Sequence, residues 1–145
     1  MYREVRTDRR GFTLLEALGS VALAAVLAGI ATVRLVELVD AARLAGCART
    51  LGTALRLARG RALAAGASME VRLDDVRMAL ELRDGAGTLL ETRWLPARVR
   101  FAALPARQRI QFGGLGTAQN ATVTLAAGAR ARSVIVNQRG RVRVQ

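Results

Sequence analysis

Residues 12–33 read FTLLEALGSVALAAVLAGIATV, an apolar run of 22 residues with one charge, Glu16, closed by Arg34. A helix of this length spans about 33 Å, close to the roughly 30 Å of bilayer hydrocarbon. The residues before it, MYREVRTDRRG, are polar and basic, with Arg9 and Arg10 at their end. Basic residues there favour a cytoplasmic N-terminus, with the rest of the chain outside. The run is longer than the about 7–15 apolar residues of a secretory signal. Neither a signal nor a plain single-pass anchor has a use for an acid at position 16. A carboxylate in a membrane helix costs about 2.5–3.5 kcal/mol at the centre and less near an end. Glu16 is therefore a functional candidate. The alternative is that it lies one turn inside the helix and reaches the headgroups.

Composition narrows the chemistry. All 23 basic residues are arginine, against 11 acids, for a net charge of +12. Histidine is absent, which excludes histidine-based acid/base or nucleophilic catalysis and a His/Cys zinc site. Cys47 is the single cysteine, so no intramolecular disulfide forms.

From Arg34 to about Gly66 the pattern stays helical. Leu44, Ala48, Leu51, Leu55, Ala58 and Ala62 recur at spacings of three and four. Arg49, Arg56, Arg59 and Arg61 fall mostly off that stripe. One long helix of roughly 80 Å is expected from Phe12 to Gly66, apolar all round in its first half and amphipathic in its second. Glycines at 19, 29, 46, 52 and 60 either permit close packing or are tolerated at about 1 kcal/mol each. Cys47 lies next to the stripe and reads as a small core residue rather than a reactive thiol.

After Ala67 the period changes to two. Residues 69–73 and 76–82 flank Asp74-Asp75 as a hairpin. Asp84-Gly85 and Gly87 mark the next turn, before a strand at 88–95. Pro96 and Pro105 bracket a strand at 98–102, and residues 109–112 precede Gly113-Gly114-Leu115-Gly116. Strands at 121–126, 132–137 and 141–144 complete the chain. The glycine-rich stretch has no following Lys-Ser/Thr and no helix start, so it is a turn or bulge and not a phosphate loop. The plan is α+β: a long helix followed by a small antiparallel sheet domain.

Gly11-Phe12-Thr13-Leu14-Leu15-Glu16 resembles the processing site of type IV pilin-like proteins, which include the pseudopilins of type II secretion. The resemblance implies that a membrane-embedded prepilin peptidase cuts after Gly11 and methylates Phe12. It also implies that Glu16 is the assembly carboxylate. Elementary electrostatics agrees, because pairing a carboxylate with a neighbour's new terminal ammonium removes two membrane charges at once. An i, i+4 pair with its own amine is the internal alternative. The C-terminal half resembles the GspH/FimT group, through LRLARGRALAAGASMEVRL, Phe112-Gly113-Gly114 and the closing RSVIVNQRGRVRV. The resemblance implies a pilin-like fold divided into leader 1–11, membrane and assembly half-helix 12–34, amphipathic half-helix 35–66 and a periplasmic β-rich domain 67–145. It implies no catalytic residue, no metal and no cofactor. The partners it implies are other pilin or pseudopilin subunits, the prepilin peptidase and the bacterial inner membrane.

Charge is unevenly placed. Residues 12–91 hold nine arginines and nine acids, whereas residues 92–145 hold ten arginines and no acid. Among the ten, Arg130 and Arg132, and Arg141 and Arg143, stand two apart, so each pair shares a strand face. The alternating Val134, Val136, Val142 and Val144 are expected to face inward. Gly140-Arg141-Val142-Arg143 matches the C-terminal Gly-Arg-x-Arg of DNA-binding FimT-type minor pilins. Two readings remain open. One is a structural subunit of a type II secretion pseudopilus. The other is a type IV pilus subunit that binds DNA through Arg130, Arg132, Arg139, Arg141 and Arg143 for natural transformation. No aromatic lies in residues 113–145, so such binding would ignore base sequence.

Overall fold

The computed structural model describes residues 13–145, apart from the side chain of Val33. One helix, α1 (Leu14–Ala65), is followed by eight strands: β1 (Met69–Asp74), β2 (Ala79–Asp84), β3 (Leu89–Trp94), β4 (Arg100–Ala103), β5 (Arg109–Phe112), β6 (Ala121–Ala127), β7 (Arg130–Val136) and β8 (Val142–Val144). The chain divides into two compact units, one up to Val36 and one from Glu37 to Gln145.

In the first unit, α1 is helical because its residues are mainly alanine and leucine, which lose little freedom in a helix. Its large side chains lie open, from Leu14 and Leu15 through Val21, Leu27 and Ile30. This is the one helix among the described residues long and apolar enough to cross a membrane.

The second unit has its own core. Every member of the expected stripe, Leu44, Ala48, Leu51, Leu55, Ala58 and Ala62, is buried. These side chains pack against Val71, Leu73, Ile110 and Phe112, and against Val123, Leu125, Val134 and Val136. The strands form two antiparallel sheets of four, in the orders β3-β2-β1-β5 and β4-β6-β7-β8. The antiparallel sheet domain expected from sequence is present, and its strands are shared between two sheets. Strand order depends on which distant segments pair, and local alternation carries no record of that. The first hairpin also differs. β1 runs through Asp74, the turn occupies residues 75–78, and β2 starts at Ala79. The Asp74 carboxylate accepts the N–H groups of Val76 and Arg77 at 3.0 and 2.8 Å, so it caps a longer turn instead of flanking a two-residue one.

The glycine-rich stretch is a turn, as expected. Gly116 N–H donates to Gly113 O at 2.8 Å, and Gly113 N–H to Thr117 O at 2.8 Å. A Cβ at Gly114 would overlap the Gly66 carbonyl, so this turn lies directly on the end of α1.

Cys47 is buried in the core. Burial pushes its thiol up from 9.0 to about 11. No lysine or histidine is present and the one tyrosine is Tyr2, so Cys47 is the only side chain after residue 12 that titrates between pH 8 and arginine's range. The unfolded chain releases this proton first. Stability is therefore full below pH 9 and falls as pH rises towards 11. For residues 37–145, the unfolding free energy should drop by about 2–3 kcal/mol over that interval. Urea titrations of Cys47→Ala should lose the slope.

Candidate functional site

Gly11 and Phe12 lie outside the described residues. Immediately after them, Thr13 caps the helix. Its Oγ1 accepts the Glu16 N–H at 3.2 Å, and its carbonyl accepts the Ala17 N–H at 3.0 Å. Thr13-Leu14-Leu15-Glu16 has the Ser/Thr-x-x-Glu spacing of a capping box, a signal that the reading of this segment as a processing site passed over. The cap starts the helix here and leaves the Glu16 carboxylate in its first turn, where the helix dipole favours an acid. The Glu16 side chain is exposed, as are the apolar side chains that follow it.

The basic C-terminal part is resolved in detail. Three of its ten arginines are paired: Arg93 with Glu91 at 2.6 Å, Arg98 with Asp40 at 3.0 Å and Arg109 with Glu70 at 3.3 Å. Arg100, Arg107, Arg130, Arg132, Arg139, Arg141 and Arg143 make no ion pair or side-chain hydrogen bond among the described residues. All seven are exposed.

Register separates the five expected to act together. Arg132 stands opposite Leu125 and Arg130 opposite Ala127, both buried partners, so this pair shares the face of Val134 and Val136. The core ends between Ser133 and Arg132, and the two arginines line a groove with Ala41 and Leu44 of α1. Arg143 stands opposite Ile135, on the other face of the sheet. Arg139 lies in the turn between them. Each pair does share a face, but the two pairs occupy opposite faces. Val134, Val136 and Val142 are buried and Val144 is partly so, as expected.

Gly140 has a structural reason to be glycine. Its φ is +68°, and its N–H donates to Asn137 O at 2.8 Å to close the β7–β8 turn. A Cβ there would overlap the Gly116 carbonyl oxygen and lie 2.9 Å from Arg59 Nε. Arg59 Nε donates to that same carbonyl at 3.1 Å.

Asp40 is the residue that sequence reasoning missed. It is the one buried charged side chain among the described residues. Its Oδ2 accepts Arg98 Nη2 at 3.0 Å, and Arg43 lies 4.0 Å from Oδ1. Arg98 reaches it from the β3–β4 loop with φ +72°, so this pair clips the loop to α1. The signal was present, since Asp40 precedes Leu44 by four and so falls on the buried stripe.

The family model described as Type II transport protein GspH matches residues 48–140, and the prokaryotic N-terminal methylation motif matches residues 6–32. No curated protein matches the sequence. Among solved structures, the type IV minor pilin FimU of Pseudomonas aeruginosa is 18% identical with a TM-score of 0.60, over 70% of this chain and 87% of that one. The minor pseudopilin EpsH of the Vibrio cholerae type 2 secretion system is 15% identical with a TM-score of 0.59, over 71% of this chain and 96% of that one. The fold is that of these pilin-like subunits, a long N-terminal helix with antiparallel sheets.

Proposed function

The chain belongs to the GspH family of type II transport proteins, and from that premise we propose that it is a minor pseudopilin, a structural subunit of a type II secretion pseudopilus. The observation that carries this reading is the uncovered apolar length of α1, capped at Thr13 and joined to a methylation motif. Residues 1–11 are the leader, and residues 12–34 first cross the inner membrane and then pack among other subunits' helices. Residues 35–66 and 67–145 form the periplasmic part. Lipid covers the apolar helix before assembly, and neighbouring helices cover it afterwards. The prepilin peptidase removes the leader after Gly11 and methylates Phe12. The terminal ammonium of one subunit then meets the Glu16 carboxylate of another, and the match is strongest where water is excluded. The description of the matching family model, a type II transport protein, supports the secretion assignment, whereas the fold is shared equally with EpsH and with the type IV minor pilin FimU. Gly11→Ala should keep the leader attached, which a shift in subunit mass reads directly.

One observation favours a second reading, that of a type IV minor pilin binding DNA. Seven arginines after residue 92 stand exposed and without an ion pair among the described residues. Arginine's planar fork suits phosphate oxygens. On this reading, residues 37–145 shift duplex DNA at low salt. Arg141→Ala with Arg143→Ala should then lower the log-affinity against log-salt slope by about 2. Absence of binding at low salt retires it. Because the arginine pairs lie on opposite faces, the paired substitution Arg130→Ala with Arg132→Ala should change that slope far less if Arg141 and Arg143 carry the contact.

A further inference from the structure

β5 is an edge strand. It pairs with β1 on one side, and on the other its one strand bridge among the described residues is that between Phe112 and Ala118. From that bridge the two segments diverge, and a cleft of about 280 Å³ opens between Arg109–Gln111 and residues 119–121. Its polar walls are Arg107, Arg109, Gln111, Gln119 and Asn120, and no carboxylate of the described residues lines it.

Beyond the bridge, whose ladder is continued by the Gly113 N–H donating to Thr117 O at 2.8 Å, the edge is left open at Arg109. Leu73 N–H donates to Gln108 O at 2.8 Å, which fixes the phase of the β1–β5 ladder. Antiparallel pairs alternate between bonded and non-bonded. Val71↔Ile110 is then a bonded pair, and Arg72↔Arg109 is not. The N–H and C=O of Arg109 therefore point away from β1, towards the cleft. The turn that presents Arg107 is held by the Gln108 N–H donating to Pro105 O at 2.8 Å. Arg107 has no ion pair or hydrogen bond among the described residues.

We propose that this cleft docks an extended peptide strand carrying an aspartate or glutamate. The strand adds to the open edge of β5, as in β-augmentation. Arg107 takes the acidic side chain in a charge-assisted pair. The amides of Gln111, Gln119 and Asn120 donate to and accept from the peptide's own backbone and polar groups. The cleft is smaller than the roughly 300–1,000 Å³ of pockets that enclose small molecules, and it suits a strand laid across it. This inference does not rest on the fibre reading, since the cleft belongs to the compact unit from Glu37 onward.

The test uses the full chain in detergent micelles and a displayed library of random heptapeptides. Selection should enrich peptides with Asp or Glu among residues of strand propensity. A selected peptide should bind Arg107→Ala about tenfold or more weakly, and its own Asp→Asn or Glu→Gln form should lose a similar factor. Gln119→Ala should weaken binding as well. Arg107 and Gln119 are exposed, so both variants should melt as the parent does. Enrichment without acids, binding indifferent to both variants, or displacement of the peptide by millimolar inorganic phosphate or by duplex DNA would overturn the proposal.

Discussion

Gly140→Ala should destabilise the unit from Glu37 onward by about 2–5 kcal/mol, the largest stability effect expected of any single methyl group added to this chain. Two costs combine. A left-handed conformation costs an L-residue about 1–2 kcal/mol, and Gly140 has φ +68°. Forcing extra volume into a packed site costs typically about 1–3 kcal/mol more. The site is packed because a Cβ would overlap a backbone oxygen, that of Gly116, and approach Arg59 Nε to 2.9 Å. A carbonyl in a hydrogen-bonded turn has little room to give, and this one already accepts Arg59 at 3.1 Å. The β7–β8 turn, the glycine-rich turn and α1 meet at this point. Arg141→Ala and Arg143→Ala, whose guanidinium groups are exposed and make no ion pair or hydrogen bond among the described residues, should stay within about 0.5 kcal/mol of the parent, since the Arg141 N–H keeps its bond to Asn137 Oδ1 at 2.9 Å. Urea unfolding of residues 37–145 separates the two outcomes. Equal stability of Gly140→Ala and the parent would contradict the close approach. The comparison also bears on the Gly-Arg-x-Arg motif. Its glycine is required by packing, so loss of any activity in Gly140→Ala is no sign of a DNA contact.

Glu16→Ala should leave leader removal intact and reduce incorporation into fibres by tenfold or more. The cap explains why the effect is specific. Thr13 Oγ1 holds the backbone N–H of residue 16 and not its carboxylate, and alanine is a good helix former. The helix start therefore survives the substitution, and only the carboxylate is lost. On the proposed pairing, this would leave an ammonium in a low-dielectric interface with no opposite charge, a costly arrangement. Glu16→Gln keeps the shape and removes the charge, so it should fail as alanine does. Quantitative blotting of sheared fibres against membrane-bound subunit reads the ratio. Incorporation of Glu16→Gln at the parental level would remove the ion pair from the account.

Much of this was legible in the residues because it depends on short-range periodicity. The stripe from Leu44 to Ala62 repeats at three and four, and every member is buried. Strand positions after residue 67 follow alternation, and they are found within a few residues of expectation. Pairing was not legible. Whether β5 closes on β1 or on β4 depends on contacts between distant segments, and so does the division of the strands between two sheets. The face of Arg130 and Arg132 depends on where the core stops along β7. The strand alternates regularly, yet its inner face changes from valine to arginine within four residues. Asp40 shows the opposite case. Its spacing put it on the buried stripe, but an acid there gains meaning only once Arg98 is seen to reach it from the loop after β3.

Processing and assembly meet in one quantity, the intact mass of the subunit recovered from fibres sheared off cells. The account predicts a chain that starts at Phe12, lacks residues 1–11, and carries one added methyl group on its terminal amine. Residues 1–11 hold four arginines and two acids, so on this account cleavage should also lower the net charge from +12 to +10. A fibre-associated chain that retains Met1–Gly11, or one cut elsewhere than between Gly11 and Phe12, would contradict the account at its centre.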